Sequence, residues 1–331
     1  MVKEYKYLSP EQVEHFLEHG WILIPAAFTP EKAREFTHDV WLRLGYDKDD
    51  KNTWAKERVH MPHHYSEPTQ TFAPKAWGAM CELLGGEDRV DPKSSNWGNS
   101  LIVNLGTEEN EDGKGEDKII DPKNFNNWHV DGDFFVHFLD SPEQALLVVP
   151  LFSDIAHRGG ATYISPDGIN LVAKYLASHP EGVLPTGLSF TPQFDSTDVF
   201  DHLKKIHECS EFAELTGKTG DVVLMHPLML HSASINYTRV PRLITNPPVS
   251  LREPFNFARD DPKEYSLVEK KTLRALGVEK LDFKITAERR RIVPARVALQ
   301  NKMMQEELER LEKAKKAEGE LDLPKVQAVG A

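Results

Sequence analysis

Cysteine is nearly missing from this chain of 331 residues: only Cys81 and Cys209 occur, far apart. A disulfide framework is therefore not expected, and a chain of this length can bury a core without one. Long apolar runs are missing as well. No stretch approaches the roughly 20 residues that cross a bilayer, and Met1–Tyr7 has no apolar segment behind it, so neither a membrane span nor a secretory leader is expected. Positive charge is in deficit, with 40 Lys and Arg against 52 Asp and Glu and a net charge of −12. A protein that grips phosphates needs a basic face, so nucleic acid is not the expected partner and a small molecule is. The C-terminal residues are not a peroxisomal or endoplasmic-reticulum address. The expected location is cytoplasmic.

What is present reads as an ordinary globular composition, 40% hydrophobic and 28% charged. Pro10 to His19 has the apolar spacing of a helix, stopped by Gly20. A short strand Trp21–Pro25 follows. Thr29 caps a helix expected to run to about Leu44. Residues 46–73 read as polar and irregular. Their cluster His60, His63 and His64 invites a metal assignment, but Pro62 breaks any regular face, so a His-rich loop is expected. Ala73–Leu84 reads as a helix and Ser100–Leu105 as a strand. Residues 107–121 form an acidic loop or insertion that is placed to act as a lid, although a passive loop is the plainer reading. Strands are expected at Ala145–Phe152, after the turn Gly159-Gly160, at Val222–Met225, at Met229–Ser232 and at Arg242–Ser250. Asp167 opens a helix to about Ala177, residues 181–198 read as loop, and Val199–Ile206 and Glu208–Leu215 read as short helices. Pro262–Leu276 and Pro294–Lys316 read as helices, the second amphipathic and able to pack on the domain or on a second copy. The last dozen residues read as a tail. No solenoid repeat is visible.

The chemistry gathers in Asn127-Trp128-His129-Val130-Asp131-Gly132-Asp133. On a strand, His129 and Asp131 share a face and can reach one metal ion. Asp133 falls on that face too and competes with Asp131. A third ligand is available roughly a hundred residues on, in Gly220-Asp221-Val222-Val223-Leu224-Met225-His226-Pro227-Leu228-Met229-Leu230-His231, followed by Arg242. Two histidines and one carboxylate with the remaining positions open are the facial triad of non-haem Fe(II) oxygenases. The planar fork of Arg242 suits bidentate binding of a carboxylate, with Arg239 and Arg252 as substitutes. Trp128, Phe134, Phe135 and Phe138 can line a substrate pocket or belong to the core.

Over residues 8–255 the chain resembles the phytanoyl-CoA dioxygenase-like family of Fe(II)/2-oxoglutarate-dependent oxygenases. The resemblance lies in the helix-glycine-strand opening (Phe16–Pro25), Trp128–Asp131, Gly159–Pro166 and Gly220–Ser232 with Asn236 and Arg242. It implies a double-stranded β-helix (jelly-roll, cupin-like) core, mainly β with flanking helices, and a domain over 1–255. A helical extension over 256–318 and a tail over 319–331 follow. It implies His129, Asp131 and His231 as iron ligands, with His231 rather than His226 as the distal ligand. It further implies Arg242 as anchor of the far carboxylate of 2-oxoglutarate. The reaction would consume O2, release succinate and CO2, and oxidise a small organic substrate. Hydroxylation or another oxidation is favoured over halogenation because Asp131 is present. Many members carry Ser or Thr two residues after the distal histidine. Here Ala233 stands there, between Ser232 and Ser234, and Asn104 and Thr162 are the candidate replacements for the lost contact to 2-oxoglutarate. The alternatives are a catalytically silent jelly-roll that binds a metabolite or partner, and a cupin-type metal enzyme that does not use 2-oxoglutarate. Monomer and homodimer are both compatible with the sequence.

Overall fold

The computed structural model describes residues 5–112, 120–185 and 201–318. The central part of the acidic loop, most of the 181–198 loop and the 319–331 tail lie outside them. Helix α1 (Pro10–His19) starts at Ser9, whose hydroxyl accepts from the Gln12 N–H while Gln12 reaches back to the Ser9 N–H. It ends on Gly20 at φ +75°. Strand β1 (Trp21–Ile24) follows directly. The helix expected from Thr29 to Leu44 is two helices, α2 (Pro30–Phe36) and α3 (Val40–Leu44). The break at Thr37 has a physical reason. The Thr37 hydroxyl donates to the Ala33 carbonyl at 2.8 Å, and the turn delivers Phe36 onto Phe152, stacked at 4.5 Å with planes 7° apart.

The region expected to be irregular between 46 and 73 contains β2 (Arg58–His60), β3 (Ser66–Pro68) and α4 (Thr69–Phe72). Next come α5 (Pro74–Leu84), β4 (Asn96–Gly98) and β5 (Ile102–Asn104). Strands β6 (Leu147–Pro150) and β7 (Thr162–Ser165) precede α6 (Gly168–Ala177). The part of the expected 199–206 helix that is described is α7 (His202–Lys205). Of the helix expected over 208–215 only Glu208 is helical, closing a 3-10 turn, and the segment ends in strand β8 (Ala213–Leu215), because Thr162–Ile164 offer an open edge to pair with. Strands β9 (Val222–Met225), β10 (Leu230–Ala233) and β11 (Arg242–Ile244) complete the strand set. The expected helix from Pro262 is interrupted by Ser266, which caps α8 (Leu267–Leu276) in a second reciprocal box with Glu269. The long last helix is α9 (Arg296–Glu318).

All strand pairs are antiparallel. One sheet runs β1-β9-β6, and another runs β11-β5-β2. The two are joined where Phe152 donates to the Leu243 carbonyl and Leu151 bridges Ile244. β6 and β9 are buried on both faces, which explains their unbroken apolar sequences. A third sheet, β10-β7-β8, is extended at its β10 edge by the single bridge His129–His231. The aromatic core of Phe28, Phe36, Phe72, Trp97 and Phe152 packs together. The fold is thus mixed helix and antiparallel sheet. Among the described residues, no helix is long and apolar enough to cross a membrane.

Candidate metal centre

β10 places His231, and the bridge to it places His129: each backbone N–H donates to the other's carbonyl at 3.0 Å. The two imidazoles therefore lie with ring centres 4.3 Å apart. Asp131 meets them both. One oxygen, Oδ1, is 3.5 Å from Nε2 of His129 and 3.5 Å from Nε2 of His231. Ligand atoms from the three residues all lie within 4.8 Å of one another, the one such group of His, Cys, Asp or Glu among the described residues.

The outward nitrogens decide the chemistry of the inward ones. Nδ1 of His129 lies 2.7 Å from the Asn127 carbonyl, and Nδ1 of His231 lies 3.0 Å from the Met229 carbonyl. A carbonyl only accepts, so each Nδ1 carries the hydrogen and each Nε2 turns a lone pair inward, as metal-bound histidines do. Burial opposes charge on His129 and on Asp131. It is outweighed by the mutual attraction, which raises the pKa of His129 and holds that of Asp131 well below the carboxylate range. The second oxygen of Asp131 accepts from Nδ2 of Asn246 at 3.3 Å. Asn246 follows β11, and no pattern in the sequence marks it.

Asp133 does not compete for this position. The chain turns at Gly132, φ +116°, so the strand alternation stops there, and Asp133 forms a two-pronged ion pair with Arg296 of α9 (Nη2 to Oδ1, 2.7 Å). His226 is also elsewhere, fully buried and bonded to the Thr272 hydroxyl at 2.9 Å. Burial and then Lys271 push its pKa down to about 3. His64 is taken by Glu307 at 2.8 Å. His60, read in sequence as loop, sits on β2 within the field of the site. Its pKa is lowered by burial and then by Arg242, and is raised by Asp131.

Arg242 is 1% exposed, and among the described residues neither Nε nor Nη2 has a hydrogen-bond partner. Burial, and then the neighbouring charge of Arg58, bring its pKa down to about 9, so it stays cationic at neutral pH. The alternative arginines are differently employed: Arg239 lies over the Trp54 ring at 5.3 Å and donates to the Lys51 carbonyl, and Arg252 is exposed. Asn104 is paired with Arg242 in the β11–β5 register. Its amide hydrogens reach the Ser234 carbonyl at 2.9 Å and the Gly160 carbonyl at 3.4 Å, while its oxygen accepts from the Gly106 N–H. Asn104 therefore ties the sheets together and has no amide hydrogen left over for a carboxylate. Glycine is required at 160, φ +76°, since a Cβ there would stand 2.6 Å from that amide nitrogen. Thr162 is buried on β7 opposite Ala233. The Ser234 hydroxyl is spent on the Ala161 carbonyl at 2.8 Å.

Of the aromatics, Trp128 packs between Phe125 and Phe212. Phe135 and Phe138 line a small open depression that also borders Asp131.

No protein-family model matches the chain, and no curated protein matches it. Solved structures with a similar arrangement include the 2-oxoglutarate-dependent carbocyclase SnoK of nogalamycin biosynthesis, at 16% identity over 74% of this chain and 84% of that one, TM-score 0.39. Another is HygX from Streptomyces hygroscopicus with nickel, 2-oxoglutarate and hygromycin B bound, at 12% identity over 76% and 90%, TM-score 0.41. A third is the hypothetical protein JW0805 from Escherichia coli, at 13% identity over 82% of each chain, TM-score 0.44. These likenesses are remote, and the chemistry of the site is carried by the chain's own side chains.

Proposed function

We propose that the chain is an Fe(II)/2-oxoglutarate-dependent oxygenase of the phytanoyl-CoA dioxygenase-like type, built on a double-stranded β-helix, that hydroxylates a small organic substrate. The observation that carries this reading is the coincidence of two features: a histidine-carboxylate-histidine set with both Nε2 lone pairs turned inward, and a sealed guanidinium with unmade hydrogen bonds. Two imidazoles and one carboxylate are the donor set of a non-haem iron site with open positions. A sealed cation with unmade bonds fits an anionic ligand that arrives from outside. When bound, iron and 2-oxoglutarate supply oxygen activation coupled to decarboxylation, yielding succinate, CO2 and an oxidised substrate.

The chain's own groups do the remainder. His129, Asp131 and His231 hold the metal, and Asn246 fixes the carboxylate's rotation through its second oxygen. Arg242 receives the far carboxylate of 2-oxoglutarate, and Asn104 is freed from that role by its bonds to the backbone. Thr162, opposite Ala233, is the remaining candidate for a polar contact to the co-substrate. The sheets β1-β9-β6-β11-β5-β2 and β10-β7-β8 supply the two walls of such a core. Residues 1–255 form the catalytic domain and 256–318 an extension that reaches the site through Arg296.

Anaerobic equilibrium dialysis with Fe(II) tests the assignment. One iron per chain is expected in the parent and in Arg242→Ala, and none in His129→Ala or His231→Ala. Full iron retention by either histidine variant would remove the metal site from these residues.

A further inference from the structure

Three consecutive residues, Asp131, Gly132 and Asp133, are each held from elsewhere in the chain. Nδ2 of Asn246 donates to Oδ2 of Asp131 at 3.3 Å, and Nε2 of His137 lies 2.7 Å from the Gly132 carbonyl. Asp133 takes both prongs of Arg296, Nε to Oδ2 at 2.5 Å and Nη2 to Oδ1 at 2.7 Å. The third nitrogen of that guanidinium, Nη1, donates to Oε1 of Gln300 on the same helix at 3.1 Å, so the fork is fixed from behind as well. The chain after Asp133 is held by the stretch that leads into Arg296. The Val136 N–H donates to the Arg290 carbonyl at 2.9 Å, the Ile292 N–H donates to the Phe134 carbonyl at 2.8 Å, and Arg289 pairs with Asp140 at 2.7 Å. Residues 289–296 thus run antiparallel along 133–140, with Phe135 opposite Arg291. Helix α9 is itself pinned about three turns beyond Arg296, where Glu307 meets Arg43 and His64 at 2.8 Å. Between the metal ligand and this clamp stands Gly132 at φ +116°. Glycine leaves the backbone its widest freedom, so the pairing of His129 with His231 does not by itself place Asp131.

We propose that Arg296 is a positioning residue for the metal ligand Asp131: by gripping Asp133 across Gly132, the C-terminal extension sets the Asp131 carboxylate against His129 and His231 and completes the metal centre. An ion pair whose side chains are 47% and 36% exposed adds little to the stability of a fold. What a two-pronged arginine–carboxylate contact does supply is direction, since the planar fork fixes the carboxylate's orientation. Groups that hold a metal's ligands in place are worth roughly 10- to 100-fold in metal affinity. Arg296 is a cation beside a cation site, so its charge alone works against the metal. Positioning and charge therefore predict opposite signs when the arginine is removed. The proposal rests on the metal assignment made above and is independent of 2-oxoglutarate and of the substrate.

The test titrates the full chain with Co(II) in place of Fe(II), because the visible absorption of Co(II) reports the groups that bind it. Arg296→Ala is expected to bind Co(II) about tenfold more weakly than the parent and with an altered absorption. Its metal-free form should melt within about 2 °C of the parent. Arg296→Lys, which keeps the charge without the fork, should fall between the two. In an Asp133→Ala background, Arg296→Ala should have no further effect, because the arginine then has nothing to grip. Unchanged or tighter binding by Arg296→Ala, or an effect that persists in full without Asp133, would overturn the proposal and leave only a charge effect. A metal-free Arg296→Ala protein that melts far below the parent would overturn it as well, making Arg296 a structural residue. A parent that binds no Co(II) would remove the metal centre and the positioning role with it. A parent that binds Co(II) through His129 and His231 and is indifferent to Arg296 would remove the positioning role alone.

Discussion

A guanidinium sealed from water without an anionic partner destabilises the fold that contains it, and among the described residues β11 holds Arg242 in that condition. Stability alone does not account for it; the proposed anionic ligand would. Arg242→Met should therefore leave the ligand-free protein within about 1 kcal/mol of the parent, or more stable, because a buried charge is exchanged for a packed side chain. The same variant should lose the rise in melting temperature that 2-oxoglutarate gives the Fe(II)-loaded parent. A strongly destabilised variant with an intact 2-oxoglutarate response would make Arg242 a structural residue. At this scale the sequence was informative where chemistry restricts residue type and spacing. His129, Asp131 and His231 were legible as a set that the fold brings together, and Arg242 as a candidate anion anchor, because a fork cation on an apolar strand is unusual. Asn246 and His60 were not. Each owes its place to a neighbour distant in the chain, Asn246 to Asp131 and His60 to Ile102, and a lone Asn or His carries no periodicity.

Elements differ from their sequence reading where one side chain overrules a pattern. Thr37 breaks the expected helix by bonding its own preceding turn. Residues 213–215 become strand because β7 has an edge to fill, and Gly132 ends the alternation that would have put Asp133 beside Asp131. The cluster His60–His64 was read as loop because Pro62 interrupts it, yet Pro62 interrupts only the face and not the pairing of Arg58–His60 with β5. The amphipathic pattern of α9 gave its packing against the protein without giving its anchor. Glu307, 1% exposed, accepts from Nε of Arg43 at 2.8 Å and meets His64 at 2.8 Å. Arg43 is itself fully buried, although it keeps the Pro62 carbonyl at 2.7 Å. Glu307→Ala should cost about 3 kcal/mol, the lower end for breaking a buried pair, since Arg43 retains part of its bonding. Urea denaturation checks this, and a loss under 1 kcal/mol would mean that α9 is held by its apolar face alone.

For the whole molecule, segments of one composition were the readable part: Ala145–Phe152, which holds β6, and Val222–Met225 are apolar throughout because they are buried on both faces. Pairing order was not readable, since β1 finds β9 across some two hundred residues and nothing local specifies that partner. One carboxylate ties distant parts of the chain at the start of α8. Glu269, fully buried, accepts from Arg89 (2.8 Å), Arg259 (3.0 Å) and the Asn256 N–H (2.9 Å). Burial alone would raise its pKa; Arg89, then Arg259 and the Asn256 N–H, overcome this and bring it down to about 2. A depressed folded value means stability that is present above the unfolded value of 4.5 and is lost as pH falls towards 2. The gap corresponds to a contribution on the order of 3 kcal/mol. Denaturation midpoints of the parent and Glu269→Gln should therefore differ most at pH 7 and converge between pH 4.5 and 2. A difference independent of pH would assign the role of Glu269 to shape instead of charge.

The central claim is that one metal joined by His129, Asp131 and His231 shares 2-oxoglutarate with Arg242. Anaerobic titration of the purified protein with Fe(II) and 2-oxoglutarate, followed in the visible range, tests it most directly. A charge-transfer band of the iron chelate should grow only when both are present. It should be absent in His231→Ala, and in Arg242→Ala it should need far more 2-oxoglutarate. A folded protein that binds Fe(II) and shows no band at saturating 2-oxoglutarate would contradict the claim and leave a metal site serving some other chemistry.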